Sequence, residues 1–217
     1  MEKDRGTKVV AILALLIAVA GLSVGFAAFS SKLTISSSAN VKPNSEDFDV
    51  NFSTVNTSET EGTVSGVVSH ETIVTANDAT ISNTGDPTIT GLKANFTAPG
   101  QSVTYSFYAH NAGEYPAYLK SVVYENVTGE ASTKICTAAE GTDPAKVTEA
   151  CKAISVTVTV GSNQFTGSQT SITSHLLDID EYEPVVVKIE YAADGARADG
   201  DFSVAFGDIA LNYSSID

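Results

Sequence analysis

Histidines and carboxylates are the side chains of this sequence whose types suit chemistry. The histidines are His70, His110 and His175, and no HExxH pattern gives two of them the spacing of a zinc site. His110 lies on the polar side of a strand-like alternation, and we interpret all three as exposed or hydrogen-bonded side chains. No GxSxG, Walker A or GxGxxG motif indicates a serine nucleophile or a phosphate loop. We therefore predict that the chain is not an enzyme.

Two acidic stretches are the other candidates for a chemical role. They consist of Asp178, Asp180, Glu181 and Glu183, which precede Pro184, and of Asp194, Asp199 and Asp201. Clustered carboxylates on loops are hard oxygen ligands that could hold Ca²⁺. Neither stretch has the DxDxDG pattern, and ordinary solvated turns are also rich in such residues. Ca²⁺ is the one cofactor that the sequence leaves open, and we otherwise expect none.

Cys136 and Cys151 are the two cysteines of the chain. A metal or redox pair would need CxxC spacing or neighbouring histidines, and the sequence has neither. In an exported protein, paired cysteines tend to form disulfides. We therefore predict a structural Cys136–Cys151 disulfide.

The N-terminus has the pattern of an export signal. Basic residues at positions 3, 5 and 8 precede an apolar run at 9–29, which ends in small residues and a serine-rich segment. We place cleavage between Ala28 and Phe29, so that residues 1–28 form a signal peptide. The run is about 20 residues long, which also suffices to span a bilayer, and a retained anchor is the alternative. A pilin-type leader cut after Gly6 fits less well because Ala11 stands where those leaders carry Glu.

The charge balance restricts the partners of the chain. The sequence has 12 Lys and Arg against 26 Asp and Glu, a net charge of −14, and no basic cluster follows residue 8. Nucleic acid and anionic lipid both require a positive surface, so neither is an expected partner. Together with the export signal, this balance leads us to expect a secreted, extracellular protein.

Alternation of apolar and polar residues is the main structural signal, because strand side chains point to opposite faces with a period of two. The alternating segments are residues 33–35, 48–52, 92–96, 103–109, 119–127, 154–160, 185–191, 202–206 and 209–213. The pattern predicts an all-β jelly roll or β-sandwich of about nine strands at residues 41–217. Residues 29–40 would form an N-terminal strand and linker, preceded by the signal or transmembrane helix.

Two features interrupt the alternation. Asp143 followed by Pro144 predicts a short helical insertion near the disulfide, because Asp caps helices and Pro suits their first position. Around Gly207 and Asp208 the apolar positions change from even to odd numbers. Either a β-bulge or a strand that passes from one sheet to another would explain this change.

The sequence resembles the TasA/camelysin family of exported matrix-fibre proteins. The segment Phe26-Ala27-Ala28-Phe29-Ser30 is similar to that family's signal exit, where a dedicated signal peptidase cuts before the Phe. A short alternating strand follows directly. The segment from Phe96 to Phe107, FTAPGQSVTYSF, resembles a turn and strand that recur in the family. The Cys136–Cys151 insertion departs from the family pattern.

The resemblance implies a jelly roll that polymerises into a filament. In this family the N-terminal strand freed by cleavage completes a sheet of the neighbouring subunit. Here that donor strand would begin at Phe29, with Leu33 and Ile35 as the inserted side chains, and the partners would be copies of the chain, the signal peptidase and matrix components. Two alternatives remain open: the strand pairs within its own domain, or the chain is a membrane-anchored surface binding or adhesion domain.

Overall fold

The computed structural model describes residues 48–69, 75–84, 87–124, 134–206 and 209–215, together with the backbone of residues 30–35. These residues form seventeen strands and one helix. In chain order the elements are β1 (Ser30–Ile35), β2 (Val50–Ser53), β3 (Gly62–Val64), β4 (Val67–Val68), β5 (Thr75–Ala76), β6 (Ala79–Ser82), β7 (Thr88–Thr90), β8 (Ala94–Phe96), β9 (Ser102–Asn111), β10 (Ala117–Tyr124), β11 (Lys134–Ala138), α1 (Pro144–Lys152), β12 (Ile154–Val160), β13 (Asn163–Phe165), β14 (Leu176–Leu177), β15 (Tyr182–Tyr191), β16 (Phe202–Phe206) and β17 (Ile209–Ser214).

The predicted all-β sandwich is confirmed, but its strands are more numerous and shorter than expected. The long alternating segments that the sequence predicts are β9, β10, β12 and β15. The strands that the pattern did not reveal have two to five residues each, too few to show a period. The predicted N-terminal helix lies outside the described residues.

The strands form three sheets. Sheet A has seven strands in the spatial order β14–β10–β17–β1–β7–β6–β3. Sheet B has six, in the order β13–β12–β15–β9–β2, with β4 also paired to β9. Sheet C has four, in the order β11–β16–β8–β5. All pairs among these strands are antiparallel except β1 with β7, which is parallel.

Two consecutive stretches of the chain, each with one strand in sheet A and one in sheet C, connect these two sheets. In sheet A, β10 lies beside β17, and in sheet C, β11 lies beside β16. Because β11 follows β10 and β17 follows β16, two paired stretches of chain change sheets together. The parity change predicted near Gly207 therefore marks a passage between sheets, the second of the two explanations offered by the sequence. Gly207 and Asp208 themselves lie outside the described residues.

One continuous core lies between sheet B and the other two sheets. The rings of Phe96 and Phe202 from sheet C meet Tyr191 of sheet B, at centroid distances of 5.9 and 5.6 Å. Towards sheet A, the hydroxyl of Tyr124 on β10 donates to the carbonyl of Phe165 on β13 and accepts from the amide of Val158 on β12. Burial of the apolar residues of all three sheets in one cluster supplies the main stabilisation of the fold.

The FTAPGQ segment forms a tight turn for a local reason. Gly100 has φ of 88°, which the turn requires and which other residues rarely adopt. The side chain of Gln101 closes the turn, because its oxygen accepts from the amides of Thr97 and Ala98 at 2.8 and 3.1 Å. The turn directs the chain from β8 of sheet C into β9 of sheet B.

Helix α1 begins where the sequence predicts. The Asp143 carboxylate accepts from the Ala145 amide at 2.9 Å, and Pro144 occupies the first turn. Val147 and Ala150 are buried, and the predicted disulfide between Cys151 and Cys136 joins the helix to β11. Within the part of the chain that the structure describes, no helix combines the length and apolar composition that crossing a bilayer requires.

Removal of the disulfide is expected to lower the free energy of unfolding by about 3 kcal/mol, because the closed loop spans a separation of 15 residues. The double variant Cys136→Ser, Cys151→Ser tests this by chemical denaturation with and without reductant. The wild-type chain should lose stability on reduction, whereas the double variant should not respond. Equal stability of the oxidised wild type and the variant would contradict the prediction.

Candidate functional site

The place of β1 is the feature most directly related to the predicted assembly. β1 lies in the interior of sheet A, with β17 on one side and β7 on the other. Along β17 it forms six residue pairs, from Ser30–Ser214 to Ile35–Ile209. Along β7 it forms two, ending at Ile35–Ile89. In the described residues, β1 alone connects the two halves of this sheet.

The register shows which positions of β1 belong to the core-facing side of the sheet. Leu33 pairs with Leu211 and Ile35 with Ile209, and both side chains on β17 are buried. Directly opposite residues in an antiparallel pair share a face. Lys32 pairs instead with the half-buried Asn212. The two positions predicted as inserted residues thus lie on the face of the core, within their own chain.

Other predicted positions lie outside the described residues. They are Ala28 and Phe29 at the predicted cleavage site, His70, and residues 36–47, which connect β1 to β2. The signal peptide and the cleavage therefore stay predictions.

A buried hydroxyl lies beside β1. Tyr213, which pairs with Ser31, is fully buried, and its hydroxyl has no hydrogen-bond partner among the described residues. Burial, and then the charge of Glu183, raises the pKa of Tyr213 well above its usual value. A buried polar group without a hydrogen-bond partner lowers the stability of the fold. The Tyr213 hydroxyl is therefore an unfavourable feature of the strand that pairs with β1.

His110 lies among carboxylates on the outer face of sheet B. Its Nε2 atom is 3.3 Å from Oδ1 of Asp180, and its Nδ1 atom is 3.5 Å from Oε2 of Glu59. The ring stacks on Tyr182 with centroids 4.0 Å apart and planes 6° apart. The sequence correctly places His110 on the polar face of its strand, but the side chain is only 7% exposed. Residues 54–61, which connect β2 to β3, bring Glu59 to it.

Two neighbours complete this cluster. Nδ2 of Asn51, opposite His110 in the sheet, donates to Oδ2 of Asp49 at 2.9 Å and to Oε2 of Glu59 at 3.1 Å. Burial raises the pKa of Asp49, and the charge of Glu59 adds to this rise, while the Asn51 hydrogen bond and His110 oppose it. Sequence reasoning missed Asn51 and Glu59, and their distance from His110 along the chain left no local signal.

His175 forms a second buried polar cluster. Its Nε2 atom lies 2.8 Å from Oε1 of Glu183, and its Nδ1 atom lies 2.6 Å from Nδ2 of Asn163. Glu183 has the same parity as the buried Val185 of β15, which explains its inward position. His175 is therefore hydrogen-bonded, and the cluster joins β15 to the first residue of β13 and to the segment that precedes β14.

The two acidic stretches do not converge on one point. Asp180 and Glu183 contact different histidines, as described above. Asp199 receives a hydrogen bond from Lys146 at 3.0 Å, which lowers the pKa of the Asp199 carboxyl. No group of three or more His, Cys, Asp or Glu side chains within the described ranges is arranged to hold a metal ion. The described side chains therefore give no support to the Ca²⁺ hypothesis at either stretch.

Comparisons with protein families, curated proteins and solved structures identify no relative of this chain. No protein-family model matches the sequence, and no curated protein or solved structure matches it either.

Two tyrosines offer a matched test of the buried hydroxyl. Tyr213→Phe is expected to leave the free energy of unfolding unchanged or to raise it by about 1 kcal/mol, because the removed hydroxyl has no partner. Tyr105→Phe should lower it by about 1–3 kcal/mol, because the Tyr105 hydroxyl lies 2.8 and 2.9 Å from the carbonyls of Asn77 and Lys93. Chemical denaturation of both variants measures the difference. Equal losses would show that the Tyr213 hydroxyl is bonded.

Proposed function

We propose that this chain is an exported structural subunit that assembles with copies of itself by exchanging β1 between neighbours. The observation that carries the proposal is the place of β1: an N-terminal strand in the interior of a sheet, paired along both edges. We propose a structural role in a surface filament or matrix fibre, with no catalytic function.

The physical argument concerns the two strands beside β1. Without β1, the facing edges of β17 and β7 would present unpaired backbone amides and carbonyls. Any strand of matching pattern could pair there, since backbone hydrogen bonds give affinity and alternate side chains give register. The best available match is the β1 of another copy, whose sequence is identical.

The connection to the rest of the chain permits such an exchange. Residues 36–47 are the only covalent link between β1 and the body of the domain. Twelve residues can span up to about 40 Å when extended, which is comparable to the size of a small domain. A strand donated to the next copy leaves the donor's own position to be filled by a third copy. Such a head-to-tail contact continues into a fibre unless a rotation closes it into a ring.

The sequence supplies the rest of the proposal. The predicted export signal supports a location outside the cell, where a disulfide is stable. The resemblance to TasA/camelysin proteins at Phe26–Ser30 and Phe96–Phe107 supports a matrix fibre as the product. The acidic charge of −14 favours solubility of the exported subunit before assembly.

A second candidate is a membrane-anchored surface domain. The specific observation in its favour is that β1 pairs within a single chain, with six residue pairs to β17. In that case β1 is an ordinary strand, and the apolar run before it retains the domain at the membrane. The two candidates differ in whether β1 and β17 of the final assembly belong to one chain or to two.

Cysteine crosslinking at the β1–β17 register distinguishes the two candidates. Lys32 and Asn212 are paired across the two strands. We expect that a co-refolded mixture of Lys32→Cys and Asn212→Cys chains forms intermolecular disulfides, seen as covalent dimers on non-reducing gels. A Lys32→Cys, Asn212→Cys double variant that yields only internally crosslinked monomers would support the anchored domain and contradict exchange.

A control pair exists within the body of the domain. Nδ2 of Asn212 donates to Oγ of Ser121 on β10 at 2.7 Å, and neither residue belongs to the exchanged strand. A mixture of Ser121→Cys and Asn212→Cys chains should therefore form no covalent dimers. Dimers in this mixture would reveal random oxidation.

Leu33→Asp is expected to abolish assembly, because it introduces a charge opposite the buried Leu211. Lys32→Asp, opposite the half-buried Asn212, is the control and should assemble at near wild-type levels. Sedimentation and electron microscopy of the purified chains measure assembly, and circular dichroism checks that both variants contain β-structure. Fibres of the Leu33→Asp chain would contradict the proposal.

A further inference from the structure

A group of exposed apolar side chains lies at one edge of sheet A. Tyr115, Leu176 and Ile179 are 47%, 46% and 50% exposed, and they are three of the six large apolar residues that the described ranges leave exposed. Leu176 belongs to β14, the terminal strand in the described order of the sheet. Single exposed apolar residues are common, whereas a group of them at one place often marks a binding surface. We refer to these three residues as the edge patch.

Asn111 at the end of β9 brings the segments of the edge patch together. Its Nδ2 atom donates to the carbonyl of Tyr115 at 2.9 Å and to the carbonyl of Leu177, which follows Leu176, at 3.2 Å. Its backbone carbonyl accepts from the amide of Asp180, which follows Ile179 in the chain, at 2.9 Å. Asn111 is fully buried, so the backbone beneath the edge patch is anchored to sheet B.

The backbone of Leu176 is directed towards the outer side of β14. The Leu119 amide of β10 donates to the His175 carbonyl at 2.9 Å, and Leu177 is paired with Ala117 of the same strand. In an antiparallel pair, alternate residues direct their amide and carbonyl groups to the same neighbouring strand. His175 and Leu177 face β10, so the amide and carbonyl of Leu176 point away from it. This edge therefore suits an added strand that pairs by backbone hydrogen bonds.

Carboxylates form the rim of the edge patch. Four exposed acidic residues are adjacent to its members in the sequence or lie two positions away, namely Glu114, Asp178, Asp180 and Glu181. Two of them are held by the backbone, because Asp178 accepts from the Ile179 amide at 2.9 Å and Glu181 accepts from the Asp178 amide at 2.8 Å. An apolar centre with a negative rim is complementary to a partner that combines apolar and basic residues.

The sequence argues against a second copy of the chain as the occupant of this edge. No basic cluster follows residue 8, and each copy carries a net charge of −14. Like charges brought together at an interface disfavour association, and charged residues beside a sheet edge prevent copies from pairing there. The complementary occupant is therefore a different protein.

We propose that the edge patch binds an extended segment of a different protein, in which apolar residues alternate with lysine or arginine. The segment pairs with β14 as an added strand, its apolar side chains contact the edge patch, and its basic side chains lie near the acidic rim. The proposal does not rest on the exchange of β1, since β10 and β17 separate β14 from β1 in the sheet.

The experiment is a titration of a fluorescein-labelled peptide of alternating valine and lysine with the purified full chain in non-ionic detergent, measured by fluorescence anisotropy. We expect saturable binding with a dissociation constant below about 100 μM at low salt and weaker binding at about 0.5 M NaCl. Leu176→Ser and Ile179→Ser should each weaken binding about tenfold, because each removes an apolar side chain from the contact. A peptide with glutamate in place of lysine should not bind.

Ile135→Ser and Glu140→Gln are the matched controls. Ile135 is 41% exposed on β11 of sheet C, and Glu140 is an exposed carboxylate that follows that strand. Both variants should bind the peptide as the wild type does, and circular dichroism checks that every variant contains β-structure.

Absence of peptide binding to the wild-type chain overturns the proposal. Equal affinity of the Leu176→Ser and wild-type chains overturns it too, because the peptide would then respond only to the general acidity of the surface. Sedimentation of the Leu176→Ser chain tests the choice of partner, and loss of self-assembly would show that the edge patch binds a second copy instead.

Discussion

The rest of this structure depends on one constraint: the facing edges of β17 and β7 both need a strand between them to satisfy their backbone hydrogen bonds. β17 and β7 are separated by one strand width, and β1 supplies the backbone groups that both require. β17 is in turn the continuation of β16, which ties sheet C to sheet A through the paired β10 and β11. Occupation of the β1 position therefore supports the whole layer that faces sheet B.

Much of the fold follows from sequence periodicity. β12 is the clearest case, because Ile154, Val156, Val158 and Val160 alternate with polar residues and are all buried. The start of helix α1 could also be predicted from the sequence, because Asp143 and Pro144 are local signals that act within the first turn of the helix. Strands such as β3 and β7 escaped prediction because three residues cannot display a period, and their pairing is determined by the neighbouring strands.

Sequence periodicity did not predict which strands pair with each other or which sheet each strand joins. The change of parity before Ile209 was visible, but its two explanations became distinguishable only when β16 and β17 were found in different sheets. The environment of His110 has a similar origin. Its polar face was predictable, whereas its burial depends on Glu59 and Asp180, which reach it from distant parts of the chain.

The antiparallel pairing of β1 with β17 also has a consequence for the order of events during synthesis. β1 is made before β17, its main partner, which lies far downstream in the sequence. At roughly 5–20 residues per second, β1 waits on the order of ten seconds or more before β17 exists. During that interval β1 lacks its β17 partner, while any completed copy nearby already has a finished β17. The topology thus creates a period in which the β1 of a newborn chain can meet the β17 of a neighbour before its own β17 exists.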